Sequence, residues 1–140
     1  MNNINIDKDI RWHQRFTNLE KAYKEFVNAN KLLTYSRLER SGLIQTFEFT
    51  FELCWKTLQD LLLSRGYQGL NGPRPVIEQC FQDGIIEDGE NWLKMLLSRN
   101  LSTHSYNEKI AEELLQIIKT IYYPLITQLI NKLRQERDTI

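Results

Sequence analysis

Cysteine and proline are scarce in this chain of 140 residues, which holds two of the first and three of the second. Cys54 and Cys80 sit among large apolar neighbours (Leu53, Trp55, Ile77, Phe81), with no CxxC and no histidine close by. That argues against a disulfide framework or a structural zinc site and reads as two buried thiols in a reducing compartment. Charge of one sign is lacking as well, since eighteen Lys and Arg balance eighteen Asp and Glu. A zero balance gives no support for a polycation that coats nucleic acid, although it leaves room for a local basic cleft. No apolar run approaches the ~20 residues of a membrane span, and no charged-then-apolar leader opens the chain. The expectation is a soluble, cytoplasmic protein. HExxH, P-loop and GxGxxG patterns are missing, so no metal and no cofactor are expected.

What is present suits one domain spanning residues 1–140, with a packed core over about 10–135. Hydrophobic residues make up 41% and aromatics 11% of a 16.7 kDa chain, enough for a core without staples. The first eight residues and the charged tail from Arg134 to Asp138 are expected to fray. Breakers gather in the middle: Gly66, Gly69, Gly72, Pro73 and Pro75 mark one loop, and Gly84 and Gly89 two further turns.

Between these breaks the apolar residues recur with helical spacing. Trp12, Phe16, Leu19, Tyr23, Phe26 and Leu33 form one stripe, and Ile44, Phe47, Phe51, Cys54, Leu58 and Leu61 a second, with Gly66 as a C-terminal cap. Residues 47–53 also alternate with period two, but the helical stripe outruns any ordinary strand, so helix is the reading. Phe49 and Leu53 then fall off the main stripe and, with the Glu48/Glu52 side, are candidate contact positions. A short helix is expected from around Pro75 through Val76, Ile77, Cys80 and Phe81, ending at Asp83-Gly84. Another begins at Trp92. The last runs from the N-cap Asn107 through Ile110, Leu114, Ile117, Ile121, Leu125 and Leu129, kinked by Pro124. Three long and two short helices with short connections predict an all-α, up-and-down bundle of four to five helices.

Most polar residues fit an ordinary surface. Glu52 and Lys56, four apart, read as an exposed pair worth a few tenths of a kcal/mol. Glu48, Glu52, Trp55 and Gln59 form either a solvated face or the lining of a cleft. The exception is Arg99-Asn100-Leu101-Ser102-Thr103-His104-Ser105-Tyr106. Were the helix from Trp92 to continue through it, Asn100 and His104 would share a face with Arg99 and Thr103 alongside. Arg99 suits a phosphate. His104 exchanges a proton near neutrality, as cleavage of RNA through its 2′-hydroxyl requires, and Asn100 suits the support of either. The same residues would also collect at a helix end followed by a capped helix start. One arginine and one histidine make a sparse active site, which a two-fold homodimer would double.

The spacing Arg99-(four residues)-His104-Ser105-Tyr106 resembles the RX4HXY signature of the HEPN superfamily. More of the chain resembles one branch of it, the nucleotidyltransferase substrate-binding proteins. The stretches are Phe47 to Lys56, Pro73-Arg74-Pro75-Val76-Ile77 and Asp88-Gly89-Glu90-Asn91-Trp92-Leu93. The resemblance implies a five-helix, HEPN-like bundle that dimerises and pairs with a separate minimal nucleotidyltransferase, in some pairs as a heterotetramer. Related pairs resemble toxin–antitoxin modules, in which the HEPN protein is a metal-independent ribonuclease silenced by AMP addition. Carried onto this chain, Arg99 and His104 would be the catalytic pair, Asn100 their support and Tyr106 the AMP acceptor. Arg99, Ser102 and Thr103 would contact the RNA or nucleotide. The resemblance also admits a non-catalytic substrate-binding subunit of a split nucleotidyltransferase.

Overall fold

The structure, a computed structural model, describes residues 3–101 and 107–139, with side chains left out for 3–8 and 101. Its helices are α1 (Asn3–Asn30), α2 (Arg37–Ser64), α3 (Pro73–Gln82), α4 (Gly89–Leu101), α5 (Glu108–Ile117) and α6 (Tyr123–Asp138). A π-helical turn, Ile118–Tyr122, joins α5 to α6 without a break, so five rods result. Among the described residues there is no strand, and residues 47–53 are helical.

Local chemistry sets most of the boundaries. Ser36 accepts from the Glu39 amide at 3.1 Å while the Glu39 carboxylate accepts from the Ser36 amide at 2.9 Å, a reciprocal cap that starts α2. At its far end Gly66, with φ of 96°, lets the Gly66 amide reach Leu63 O and the Tyr67 amide reach Leu62 O, at 3.0 and 3.1 Å. Gly84 closes α3 in the same way: its amide bonds Phe81 O, and the Ile85 amide bonds Cys80 O. Both are Schellman closures, which need a residue tolerant of positive φ. Pro73 is the first residue of α3 and Pro75 the third, so the helix starts two residues earlier than expected and both prolines lie in its first turn. Asp88 caps α4 through the Asn91 amide at 3.2 Å. Asn107 caps α5 through the amides of Lys109 and Ile110.

The three long rods lie alongside one another. Phe26 packs near Phe47, and Arg15 on α1 pairs with Asp60 on α2 at 2.9 Å, so α1 and α2 run antiparallel. Tyr23 shares a hydrogen bond with Thr127, and Glu20 receives Arg134 and Arg137, which lays α6 back along α1. The core is a file of aromatic rings: Phe47 stacks on Tyr122 at 5.3 Å, approaches Phe51, and Phe51 approaches Trp92. Phe16, Phe26, Phe47 and Phe51 are wholly buried, each worth about 2–3 kcal/mol of burial.

The backbone is helical from Asn3, and the charged tail is helical to Asp138. That tail is held because Arg134 and Arg137 both reach Glu20 and Arg137 lies 5.1 Å over the Phe16 ring. Leu33 is 97% exposed, since α1 ends at Asn30, before the stripe could reach it. Phe81 is half-exposed and lies over Gly89, where an added Cβ would come within 2.7 Å of its ring. Ile117 and Ile121 lie largely outside the core, and Ile118 and Tyr122 take their places. Ile117 precedes the turn and lies beside the buried stripe of Ala111, Leu114, Leu115 and Ile118; for Ile121 the reason is Pro124. Its ring would collide with the carbonyl four residues back in a regular α-helix. The wider turn avoids this, with the Tyr123 amide bonding Ile118 O, and shifts the buried face by one residue.

Candidate functional site

Arg99 and Asn100 occupy the last turn of α4, and the described part of that helix ends at Leu101. Ser102, Thr103, His104 and Tyr106 lie outside the described residues, and with them the expectation that Asn100 and His104 share a helical face. The described structure begins again at the cap Asn107. The flanks of this segment are therefore what can be built from atoms.

On the α4 side the side chain of Arg99 crosses to α2. Its Nη1 donates to Oε1 of Glu52, and Trp55, one turn along α2, donates its indole Nε1–H to Glu52 Oε2 at 3.0 Å. Both carboxylate oxygens are thus occupied, by groups on two helices. The Glu52 and Arg99 side chains are 32% and 27% exposed, which leaves the pair at the surface but partly screened from water. The expected Glu52–Lys56 pair is replaced by this arrangement. Lys56 instead sits 5.8 Å over the Trp55 ring, a cation–π contact.

One residue before Arg99, the backbone is fixed from the other side. Ser98, nearly buried, shares a hydrogen bond of 2.6 Å with the hydroxyl of Tyr122 in the π-helical turn. Burial pushes the Tyr122 phenol above its ordinary pKa, with the Ser98 bond acting in the opposite direction.

On the α5 side Glu108 receives Arg37 at 2.9 Å and Arg40 at 2.8 Å, and Arg40 also reaches Glu112 at 3.6 Å. The Arg40 hydrogen bond holds the Glu108 carboxyl below its usual range. Arg40 is nearly buried, its side chain only 11% exposed. Arginines therefore flank the segment on both sides, each already engaged with carboxylate. Such forks can exchange a carboxylate for a phosphate of matching geometry.

Sequence reasoning set Glu52 and Trp55 on a face that could line a cleft but did not join them to Arg99, and it missed Arg40 and the Ser98–Tyr122 pair. The only local signal was the three-residue Glu52–Trp55 spacing; the other contacts join residues far apart in the chain. Phe49 is 60% exposed and Leu53 partly buried, so both lie off the main core stripe as expected. Among the described residues there is no group of three or more His, Cys, Asp or Glu able to hold a metal ion. No helix of the described residues is long and apolar enough to cross a membrane.

The sequence profile described as "Nucleotidyltransferase substrate binding protein like" matches residues 14–135. The chain belongs to this family. A solved structure from Thermus thermophilus is similar to it, with a TM-score of 0.77, 34% identity, and coverage of 83% of this chain and 98% of that one. A Haemophilus influenzae structure, described as revealing the fold of a substrate binding domain of a nucleotidyltransferase, superposes with a TM-score of 0.66. It covers 91% of this chain and 99% of its own at 22% identity, a likeness of fold. A probable ribonuclease HepT from Haemophilus influenzae is 29% identical over 75 residues, 51% of this chain and 51% of that protein. The match thus spans about half the length of this curated relative. The all-helical architecture of this family member is the one observed here, and every stretch behind the family resemblance lies inside the matched span.

Proposed function

We propose that this family member is a HEPN-type subunit paired with a minimal nucleotidyltransferase, and that it acts as a metal-independent ribonuclease toxin. The observation that carries the reading is the uninterrupted Arg99–His104–Tyr106 pattern, entered from a helix end whose arginine is held in place by Glu52. The name of the Haemophilus relative, a probable ribonuclease, supports it.

In this reading Arg99 binds the scissile phosphate and Asn100 supports it, while Ser102 and Thr103 contact the nucleotide. His104 takes the proton of the ribose 2′-hydroxyl, whose oxygen attacks the adjacent phosphorus as the bond to the 5′-oxygen breaks. The leaving 5′-oxygen takes up a proton from a protonated His104, either the same one or that of the second copy, and ends as a hydroxyl, and the phosphate ends as a 2′,3′-cyclic ester. Two copies of the chain, paired about a two-fold axis in the cytoplasm, double both groups in one cleft, and the partner completes a heterotetramer. The nucleotidyltransferase silences the site by transferring AMP from ATP to the Tyr106 hydroxyl, which loses its proton as pyrophosphate leaves, and this places a new phosphodiester two residues from His104.

The test uses purified protein and labelled RNA in EDTA. Wild type is expected to cleave, while Arg99→Ala and His104→Ala lose roughly 100-fold or more of that rate, His104→Ala with the melting temperature unchanged. Identical RNA patterns from wild type and His104→Ala overturn the enzyme reading. A second reading, a non-catalytic subunit that presents substrate to the nucleotidyltransferase, is favoured by the description of the family itself. It expects a tight complex with that partner, no cleavage, and no AMP added to Tyr106 on co-expression.

A further inference from the structure

We propose that Glu52 is a positioning residue for Arg99, which sets the guanidinium where it meets a phosphate of an RNA strand, with Trp55 steadying the carboxylate. The inference rests on the reading of Arg99 as a phosphate ligand and adds to it the group that aims the arginine.

Three observations carry it. The Glu52 carboxylate is held at both oxygens, by Trp55 Nε1 at 3.0 Å and by Arg99 Nη1. It is thus no swinging surface acid. Trp55 is on the same helix, so carboxylate and indole form one unit that faces α4. The backbone that carries Arg99 is held separately, by the 2.6 Å bond between Ser98 and Tyr122. Head and base of the arginine are therefore fixed by different elements, α2 and the π-helical turn. A guanidinium is a planar fork with five donors, and fixing one edge fixes the plane of the rest. An arginine ordered in advance loses less freedom when a phosphate arrives.

Bare electrostatics argues for the opposite sign. A carboxylate beside a phosphate-binding arginine repels the ligand, so neutralising Glu52 should tighten binding if charge were all that mattered. Positioning and charge thus make opposed predictions for one substitution, which keeps Glu52 from being a mere ion-pair partner by default.

The experiment measures binding of a 2′-O-methyl RNA oligonucleotide, which cannot be cleaved through its 2′-oxygen. The proteins are full-length wild type, Glu52→Gln, Trp55→Phe, Arg99→Ala and the Glu52→Gln/Arg99→Ala double variant. Glu52→Gln is expected to bind about tenfold more weakly although it gains one unit of positive charge. Trp55→Phe should bind a few-fold more weakly, and Glu52→Gln should have no further effect once Arg99 is Ala. The Trp55 indole N–H resonance, assigned by its loss in Trp55→Phe, should shift in Glu52→Gln. Unchanged or tighter binding by Glu52→Gln, with Arg99→Ala weakened, overturns the positioning role and leaves the reading of Arg99 standing. Unchanged binding by Arg99→Ala overturns both. Should Glu52→Gln fail to fold, Trp55→Phe decides, and wild-type affinity there overturns the proposal.

Discussion

The hydroxyls of Tyr122 and Ser98 lie 2.6 Å apart, nearly buried, and tie the π-helical turn to the residue before Arg99. Removing one partner strands the other, whereas removing both leaves two apolar surfaces in contact. Tyr122→Phe is therefore expected to cost about 1–2 kcal/mol, and adding Ser98→Ala to it should cost less than the sum of the two single changes. Urea unfolding of the four proteins in this cycle measures the coupling directly.

Lys119, in the same π turn, donates to Asn30 O at 2.9 Å, Leu32 O at 2.7 Å and the Tyr35 hydroxyl at 2.8 Å. All three ammonium protons are thereby used at the C-terminal end of α1, where the helix dipole favours a cation and no basic residue of its own stands in the last turn. Lys119→Met keeps the stem and loses the donors. It should lower stability by about 1–3 kcal/mol and speed amide exchange across residues 30–35, while amides of α2 near Phe51 keep their protection. Equal exchange in both proteins would show that the contact does not hold this turn.

The two kinds of glycine in the chain should respond oppositely to alanine. Gly66 has φ of 96° and closes α2, so Gly66→Ala should cost about 1 kcal/mol. Gly42 lies within α2 with nothing within 4 Å of an added Cβ, so Gly42→Ala should gain about 0.5–1 kcal/mol. Melting temperatures that move in the same direction would contradict the assignment of Gly66 to a Schellman closure.

Glu20 gives the fold a defined acid response. Burial acts to raise its pKa, but the hydrogen bonds from Arg134 and Arg137 outweigh it and the net shift is downward from 4.5. A carboxylate with a depressed folded-state pKa adds stability that is present above its unfolded pKa. That stability is lost as pH falls through the folded value. Wild type should exceed Glu20→Gln by a few tenths to about 1 kcal/mol at pH 7. The gap should narrow as pH falls below 4.5 and close once pH lies below the depressed folded-state value, as read by denaturant unfolding at each pH. A gap that widens on acidification would reverse the sign of the argument.

The second helix was legible because nothing interrupts its period. Ile44, Phe47, Phe51, Cys54, Leu58 and Leu61 are all buried as their spacing requires. The last rod was legible as a helix but not in its phase, since Ile121 fits the stripe of a regular α-helix and Pro124 forces a wider turn that contains it. The tail looked solvated because the partner that holds it is remote in sequence; Glu20 lies 114 positions away from Arg134. The same limit hid the site. Arg99 stood out by its neighbours in sequence, while Glu52, 47 positions earlier, had a nearer and chemically reasonable partner in Lys56. Periodicity reports which face is buried, and it is silent on which polar groups meet across the bundle.

The widened turn at Ile118–Tyr122 amounts to one residue more than a regular α-helix would carry over the same length. Deleting a single residue there would rotate everything on one side by about 100° about the axis relative to the other. Lys119 and Tyr122 could then no longer serve α1 and α4 at the same time. Relatives with a shorter chain at this point must therefore lack one of those two ties or replace it, and those that keep both must keep the extra residue.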